Sequence, residues 1–402
     1  MMTAFTNRQG GPPPPWRSTG ASPLRKEVVT PPSSAVSSLE QREAFLLAPY
    51  AVHSNDSVGR KHPEHEHPFR GPFQRDRDRV LHSSAFRRLS GKMQVFAPDL
   101  GDYHRTRLTH TLEVAAVARS LGRALRLNED LIEALAYFPD IGHPPYGHTG
   151  EEALDQRLHD QGGFSHNRYA LTIAEELEQR HHSFPGLNLT AEVLECQSHR
   201  IDKRSGAAHT PWLEAQLVDQ ADSMTYDAHD VDDAVKLEFV SLPELQELAI
   251  IQRCRRRVDQ RYGALEGELL RKAIVHELLD LQTGDLLQNA RDMLERYAFQ
   301  TALEVRRTGF RLRPSSELIE QKAELEEFLY QRVYRHERLV EMRSKAQLAL
   351  GELHDAYLRK PAWMPERFRL RAELVGLARA AADYIAGMTD RYCQQQHRKR
   401  LG

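Results

Sequence analysis

Cysteine is nearly absent from this chain. Three in 402 residues, Cys196, Cys254 and Cys393, are too few and too scattered for a disulfide framework, which fits a reducing, cytoplasmic setting. Long apolar runs are missing too: none approaches the ~20 residues that cross a bilayer, so no membrane span is expected. The start of the sequence carries no hydrophobic signal core. Charge of one sign is also absent. Charged residues make up 28% of the chain, yet the net charge is only -2, so no global field draws it to nucleic acid. The basic run RCRRR (253–257) and the basic C-terminal residues could touch nucleic acid, but such runs are usually solvated helix faces. There is no internal repeat and no glycine-rich phosphate loop. Strand signals are few, with KMQVF (92–96) and GFRLR (309–313) the two short candidates.

What is present is helical periodicity. Residues 1–37 are rich in Pro, Ser, Thr and Gly, with four prolines in a row at 12–15. Such a segment cannot bury enough apolar surface to offset its ordering entropy and reads as a disordered tail. A helical pattern starts near Leu39, and a polar loop follows with His62, His65 and His67. That trio could bind metal, but in a charged, proline-containing loop it reads better as solvated histidines. From Phe73 onward the pattern is helical almost without a break. RDRDRVLHSSAFRRL (75–89), a face through Leu108, Leu112, Ala115 and Leu121, and another through Leu131, Ile132 and Leu135 all follow a 3.6-residue period. Further helices are expected at 168–180, 211–237, 262–280, 284–305, 317–355 and 366–395. The class is all-α: one domain over 38–402, with a core at about 73–240 and a C-terminal helical part at about 241–402.

Chemistry-bearing residues concentrate between Arg107 and Asp230. Asp219, Asp222, Tyr226 and Asp230 stand three or four apart, so they share one helix face. Carboxylates so placed repel unless a cation or hydrogen-bond donors compensate. An acidic solvated face would read the same way, but an apolar stripe (Leu213, Leu217, Ala221, Met224) requires part of this helix to be packed. PDIGHPPYGH (139–148) is stronger. Gly142, Pro144, Pro145 and Gly147 force a tight loop that gathers Asp140, His143 and His148. Glu151, three residues after His148, is placed to orient a histidine working as general acid or base.

With these residues in view, the chain resembles the bacterial deoxyguanosine triphosphate triphosphohydrolases. They are HD-domain phosphohydrolases related to the vertebrate SAM-and-HD-domain dNTPase. The likeness is carried by RTRLTHTLEV, DIGHPPYGHTGEEAL, GGFSHNRYAL, LEAQLVDQADSMTYDAHDVDDAV and DYIAGMTDRY, in the family's order over about residues 40–395. It implies an HD-domain helical core, a dNTP substrate, a homo-oligomer, and cleavage between the α-phosphorus and the sugar oxygen to deoxynucleoside and inorganic triphosphate. It also implies a divalent metal, Mg or Mn, held by His110, Asp140 and Asp222, with Asp219 the alternative to Asp222. His148 with Glu151 matches the catalytic pair, and His143 and His166 match further active-site histidines. Arg107 matches a phosphate-binding arginine, and Tyr226 and Asp230 match residues at the sugar. Gln94 matches a residue facing the nucleoside. Arg87, Arg88 and Lys92 are further candidates for holding phosphate.

One position departs from the pattern. Where the family has the His of its His-Asp pair, this chain has Pro139. Proline offers no side-chain donor atom, lacks an N–H, and disfavours α conformation at Phe138. The remaining one-nitrogen, two-carboxylate set suits a hard cation such as Mg²⁺ or Mn²⁺. Weakened hydrolysis is the expectation. The alternative is a catalytically inactive nucleotide-binding or regulatory protein, and the retained site residues disfavour it. The GHPPYGH and DYIAGMTDRY stretches disfavour a third reading, an HD phosphodiesterase acting on another phosphoester.

Overall fold

Side-chain caps decide where several helices begin. Ser38 and Gln41 form a reciprocal capping box at the start of α1 (Leu39–Leu46). Ser83 caps α3 (Ser84–Arg88), separating it from α2 (Pro72–Leu81), so 75–89 is two helices rather than one. Thr106 caps α4 (Arg107–Ala124) and Asn128 caps α5 (Glu129–Tyr137), each accepting a backbone N–H that the first turn would leave unpaired. The computed structural model describes residues 38–94, 105–201 and 209–402. The expected tail at 1–37 lies outside the described residues, as do Val95 and Phe96.

Helices α6 (Gly147–Arg157), α7 (His166–Thr172), α8 (Ala191–Ile201) and α9 (Leu213–Lys236) complete the part of the chain that carries the candidate residues. After α10 (Leu242–Leu245) and α11 (Ala249–Tyr262) comes α12 (Gly267–Tyr297), then α13 (Ala302–Arg307) and α14 (Ser316–Leu329). The chain closes with α15 (Glu337–Arg359), α16 (Glu366–Val375), α17 (Leu377–Ala386) and α18 (Asp390–Leu401). The all-α class holds, with only isolated bridges among the described residues. The strand expected at 309–313 is a turn and coil, and of 92–96 the described residues 92–94 carry a single bridge, Met93 to Thr106.

Helix boundaries differ from the periodicity in both directions. The two helices expected at 262–280 and 284–305 are one, since α12 runs through Gly284 and ends at Tyr297. A mid-helix glycine costs only ~1 kcal/mol, and Ile274, Leu278, Leu281, Leu286 and Ala290 are fully buried on either side of it. Burying such side chains contributes ~1.5–3 kcal/mol each for the larger ones, enough to keep the helix intact. The stretch expected at 317–355 is divided by a π-helical turn at Tyr330–Tyr334. The one at 366–395 is divided at Gly376, whose φ of 87° suits glycine, and again before Asp390.

Within Ser38–Gly402, which packs as one compact unit, α4, α5 and α9 lie against one another, α2 covers α5, and α12 covers α9. Leu131, Ile132, Leu217 and Ala221 are fully buried at their junction. A smaller cluster through Ile250, Ile274 and Leu325 forms a second apolar centre. Helix α6 packs on α15 and α7 on the turn after α5, so the loop between α5 and α6 is gripped on both sides.

The loop histidines do not form a metal group. His62 stacks on Phe184 with ring centroids 4.3 Å apart, His67 Nδ1 accepts the Arg70 N–H, and His65 is exposed.

Candidate active site

Helix α5 ends at Tyr137, and residues 139–142 continue as a 3₁₀ turn with Pro139 in its first position, where a missing N–H leaves nothing unpaired. Phe138 nevertheless stays α-helical, at φ -76° and ψ -45°. The expectation that proline would push it out of that region is therefore corrected. Phe138 is 1% exposed, and its packing outweighs the local preference. Gly142 is required by close approach: a Cβ there would lie 2.0 Å from the His166 carbonyl oxygen. The turn and the start of α7 can thus touch, which brings His166 to Asp140 and His143.

A cavity of about 590 Å³ opens beside this turn. Pro139, Asp140, His143, His148 and His166 line one side of it, and Asp222, Tyr226 and Asp230 of α9 line the other. Residue 139 therefore faces the cavity and offers it no donor atom. Asp140 Oδ1 accepts from Arg107 Nη1 at 3.1 Å and Oδ2 from the Thr111 hydroxyl at 2.7 Å. Burial alone would raise the pKa of Asp140, but the adjoining His143 ring and the Arg107 guanidinium hold it well below the usual carboxylate range. Arg107 is fully buried at the start of α4, and its Nε and Nη2 have no protein partner.

Three histidines gather around one carboxylate. His148 Nδ1 donates to Glu151 Oε2 at 3.1 Å, and His166 Nδ1 lies 2.8 Å from both Glu151 oxygens. The His166 backbone N–H also donates to Glu151 Oε1, at 2.8 Å. His143 stacks on His166 with centroids 3.9 Å apart, and its Nδ1 lies 3.1 Å from Asp140 Oδ1, off the line a hydrogen bond needs. Burial, then the charges of Arg107 and His166, keep His143 neutral at physiological pH. Burial would raise Glu151, yet its histidine donors hold it far into the ionised state. The ligand-type atoms of His143, His148, Glu151 and His166 all fall within 4.8 Å of one another, a metal-ligand grouping among the described residues.

Of the three residues carried over as metal ligands, two touch. His110 Nε2 lies 3.0 Å from Asp222 Oδ1, while Asp140 is bonded to Arg107 and Thr111 on the same cavity. One imidazole nitrogen and two carboxylates suit a hard divalent cation, with Asp140 and Asp222 on the cavity lining and His110 behind Asp222, off it. Asp219, the alternative to Asp222, is held by Arg200 at 2.5 Å. Tyr226 lies edge-on to His110, with ring centroids 4.6 Å apart. Asp230 accepts from the Tyr334 hydroxyl and leaves Oδ1 unpaired. Burial raises its pKa to about 7.

Some candidates lie elsewhere. Gln94 is buried, off the cavity lining, with its side-chain amide unpartnered. Arg87 is exposed, and Arg88 lines a different cavity beside α16. Lys92 is corrected most clearly: it is 2% exposed and its Nζ donates to the carbonyls of His143 and Ala386. A buried ammonium turned to backbone oxygens is not available to a phosphate in the cavity.

Two residues escaped the sequence reading. His229 Nδ1 lies 3.2 Å from His110 Nδ1, and its Nε2 meets Glu113. Glu113 and His229 thus back the His110 ring from its Nδ1 side, leaving Nε2 to Asp222. The signal was available, since His229 is two helical turns after Asp222 and Glu113 one turn after His110.

Comparisons with known proteins give the family. A family model for the HD domain matches residues 107–227, and one for a phosphohydrolase-associated domain matches residues 312–399. A deoxyguanosinetriphosphate triphosphohydrolase-like protein of Geobacter sulfurreducens is 38% identical over 366 residues, covering 88% of this chain and 94% of the relative. Proteins of the same description from Jannaschia and Azoarcus are each 41% identical, covering 89% of this chain and 96% and 97% of their own lengths. This chain belongs to the family of deoxyguanosinetriphosphate triphosphohydrolase-like proteins, hydrolases built on the HD domain.

Proposed function

We propose that this protein is a divalent-metal-dependent dNTP triphosphohydrolase, slowed by proline at position 139, that releases deoxynucleoside and inorganic triphosphate. The observation that carries the reading is the placement of His148, paired with Glu151, on the same cavity as Asp140, Asp222 and Tyr226. Mg²⁺ or Mn²⁺, held by His110, Asp140 and Asp222, would supply charge neutralisation at the α-phosphate and a water of lowered pKa. The remaining work falls to the chain. Glu151 keeps His148 oriented for proton transfer, at the attacking water or at the departing sugar oxygen. Arg107, matched to a phosphate-binding arginine, is fully buried behind Asp140 and off the cavity lining, so in this reading it acts by holding Asp140 and by its positive charge. Tyr226 and Asp230 form the wall against which the deoxyribose would pack. Assembly as a homo-oligomer in the cytoplasm belongs to the same reading.

Water attack on the α-phosphorus breaks the bond to the sugar oxygen, which takes up the proton. Reaction in ¹⁸O-water therefore tests the proposal. The label is expected in inorganic triphosphate, with unlabelled deoxynucleoside as the other product. Release of pyrophosphate or monophosphate would refute it, as would absence of turnover in both the natural chain and its Pro139→His variant.

A further inference from the structure

The signature DYIAGMTDRY (383–392) lies in the C-terminal part of the chain, and the chemistry above makes no use of it. Asp390, inside that signature, is 6% exposed. It accepts the backbone N–H of Met93 at 2.9 Å through Oδ2 and that of Tyr146 at 3.0 Å through Oδ1. Lys92 makes the complementary tie, reaching the Ala386 carbonyl at 3.0 Å and the His143 carbonyl more closely still. Four hydrogen bonds thus join three segments distant in sequence: 92–93, 143–146 and 386–390.

From this we infer that Asp390 and Lys92 are positioning residues that lock the loop before α6 and so aim His148, with Glu151 behind it, into the cavity. The inference rests on the function proposed above. Tyr146, the residue before α6, holds φ 62° and ψ 20°, a left-handed conformation that strains a residue with a Cβ, and α6 has no side-chain cap. Such a conformation persists only where the surroundings impose it. Here the imposition is the carboxylate of Asp390 on the Tyr146 amide. His148 is the second residue of α6 and Glu151 the fifth, so a rotation at Tyr146 moves both. The brace reaches the start of α4 as well, because the Lys92 carbonyl accepts the Arg107 N–H at 2.9 Å. Close approach makes the brace possible: a Cβ on Gly91 would sit 2.8 Å from Thr389 Cγ2. Burial supports the assignment, since it lowers Lys92 to about 7 and raises Asp390, so neither group gains from solvent or serves as a free charge. The phosphohydrolase-associated segment is on this account part of the machinery that shapes the site.

Asp390→Asn keeps the shape and loses one of two acceptors, and Lys92→Met keeps the length and loses the donor. Both are made in the natural chain and in the Pro139→His chain. Hydrogen exchange at 143–151 is expected to quicken about tenfold while α4 and α9 keep their protection. Where turnover is measurable, kcat should fall about 10–100-fold with KM within about threefold, as for a misplaced catalytic group. Should either variant lose its fold, Gly91→Ala supplies a milder displacement of Thr389, with the same signs expected. Unchanged exchange at 143–151 in a folded variant overturns the inference, as does a kcat loss matched by an equal loss of folded protein. Exchange does not depend on turnover. A responsive loop in a chain that hydrolyses no dNTP would therefore retain the brace and defeat the proposed function instead.

Discussion

Replacing Pro139 by histidine is the most informative single change in this protein. The position faces the cavity at the head of the 3₁₀ turn, next to Asp140. Proline limits the unfolded chain, so its removal costs ~0.4–1 kcal/mol. Against that, Phe138 already holds the α conformation that a following proline disfavours, and histidine removes that conflict. The two effects oppose, so net stability should change by less than about 1 kcal/mol. Histidine adds no charge when neutral, so the field of the surrounding carboxylates is unchanged and any gain must come from coordination. Losing a group that merely orients a metal ligand costs roughly 10–100-fold in affinity, so restoring a ligand should tighten Mn²⁺ binding at least about tenfold, near 1.4 kcal/mol. Calorimetric titration with Mn²⁺ and triphosphate release at sub-saturating metal should both report that factor. Metal affinity and turnover both within about twofold of the natural chain would refute the reasoning, because position 139 would then not reach the metal.

Other changes test the remaining contacts. Glu151→Gln leaves shape intact but removes the carboxylate that both His148 and His166 address, so kcat should drop about 10²–10⁴-fold with little change in KM; a drop confined to KM would contradict the proton-transfer role. His229→Ala cuts the link from His110 to Glu113 and should weaken metal binding about 10–100-fold without altering the fold, as calorimetry and circular dichroism would show. Gly142→Ala places a methyl 2.0 Å from the His166 carbonyl and should destabilise by about 1–3 kcal/mol, read as a lowered Tm. Asp230, raised by burial to about 7 against a donation from Tyr334 that lowers it, binds its proton more tightly folded than unfolded. Its contribution to stability is therefore present below about pH 4 and lost as pH rises through about 7, on the order of a few kcal/mol. Denaturant titrations of Asp230→Asn between pH 4 and 8 should show a flatter dependence than the natural chain, and an identical slope would rule the assignment out.

The sequence by itself determined the helical class and the faces of its individual helices. Asp222, Tyr226 and Asp230 share a cavity wall because residues four apart on a helix must project the same way. The pairing of His148 with Glu151 is equally local, one turn of α6. Tertiary structure decided what periodicity could not. Among the acids of α9, Asp222 meets His110 while Asp219 goes to Arg200, a choice set by which neighbouring helix lies across from each. Lys92 read as a candidate for holding phosphate, but packing placed it between two carbonyls, one of them 294 residues away. Whether Gly284 ends a helix or is carried through it depended on the apolar contacts flanking it. Local spacing fixes the direction of a side chain relative to its own helix; only the assembled helices fix what stands in front of it.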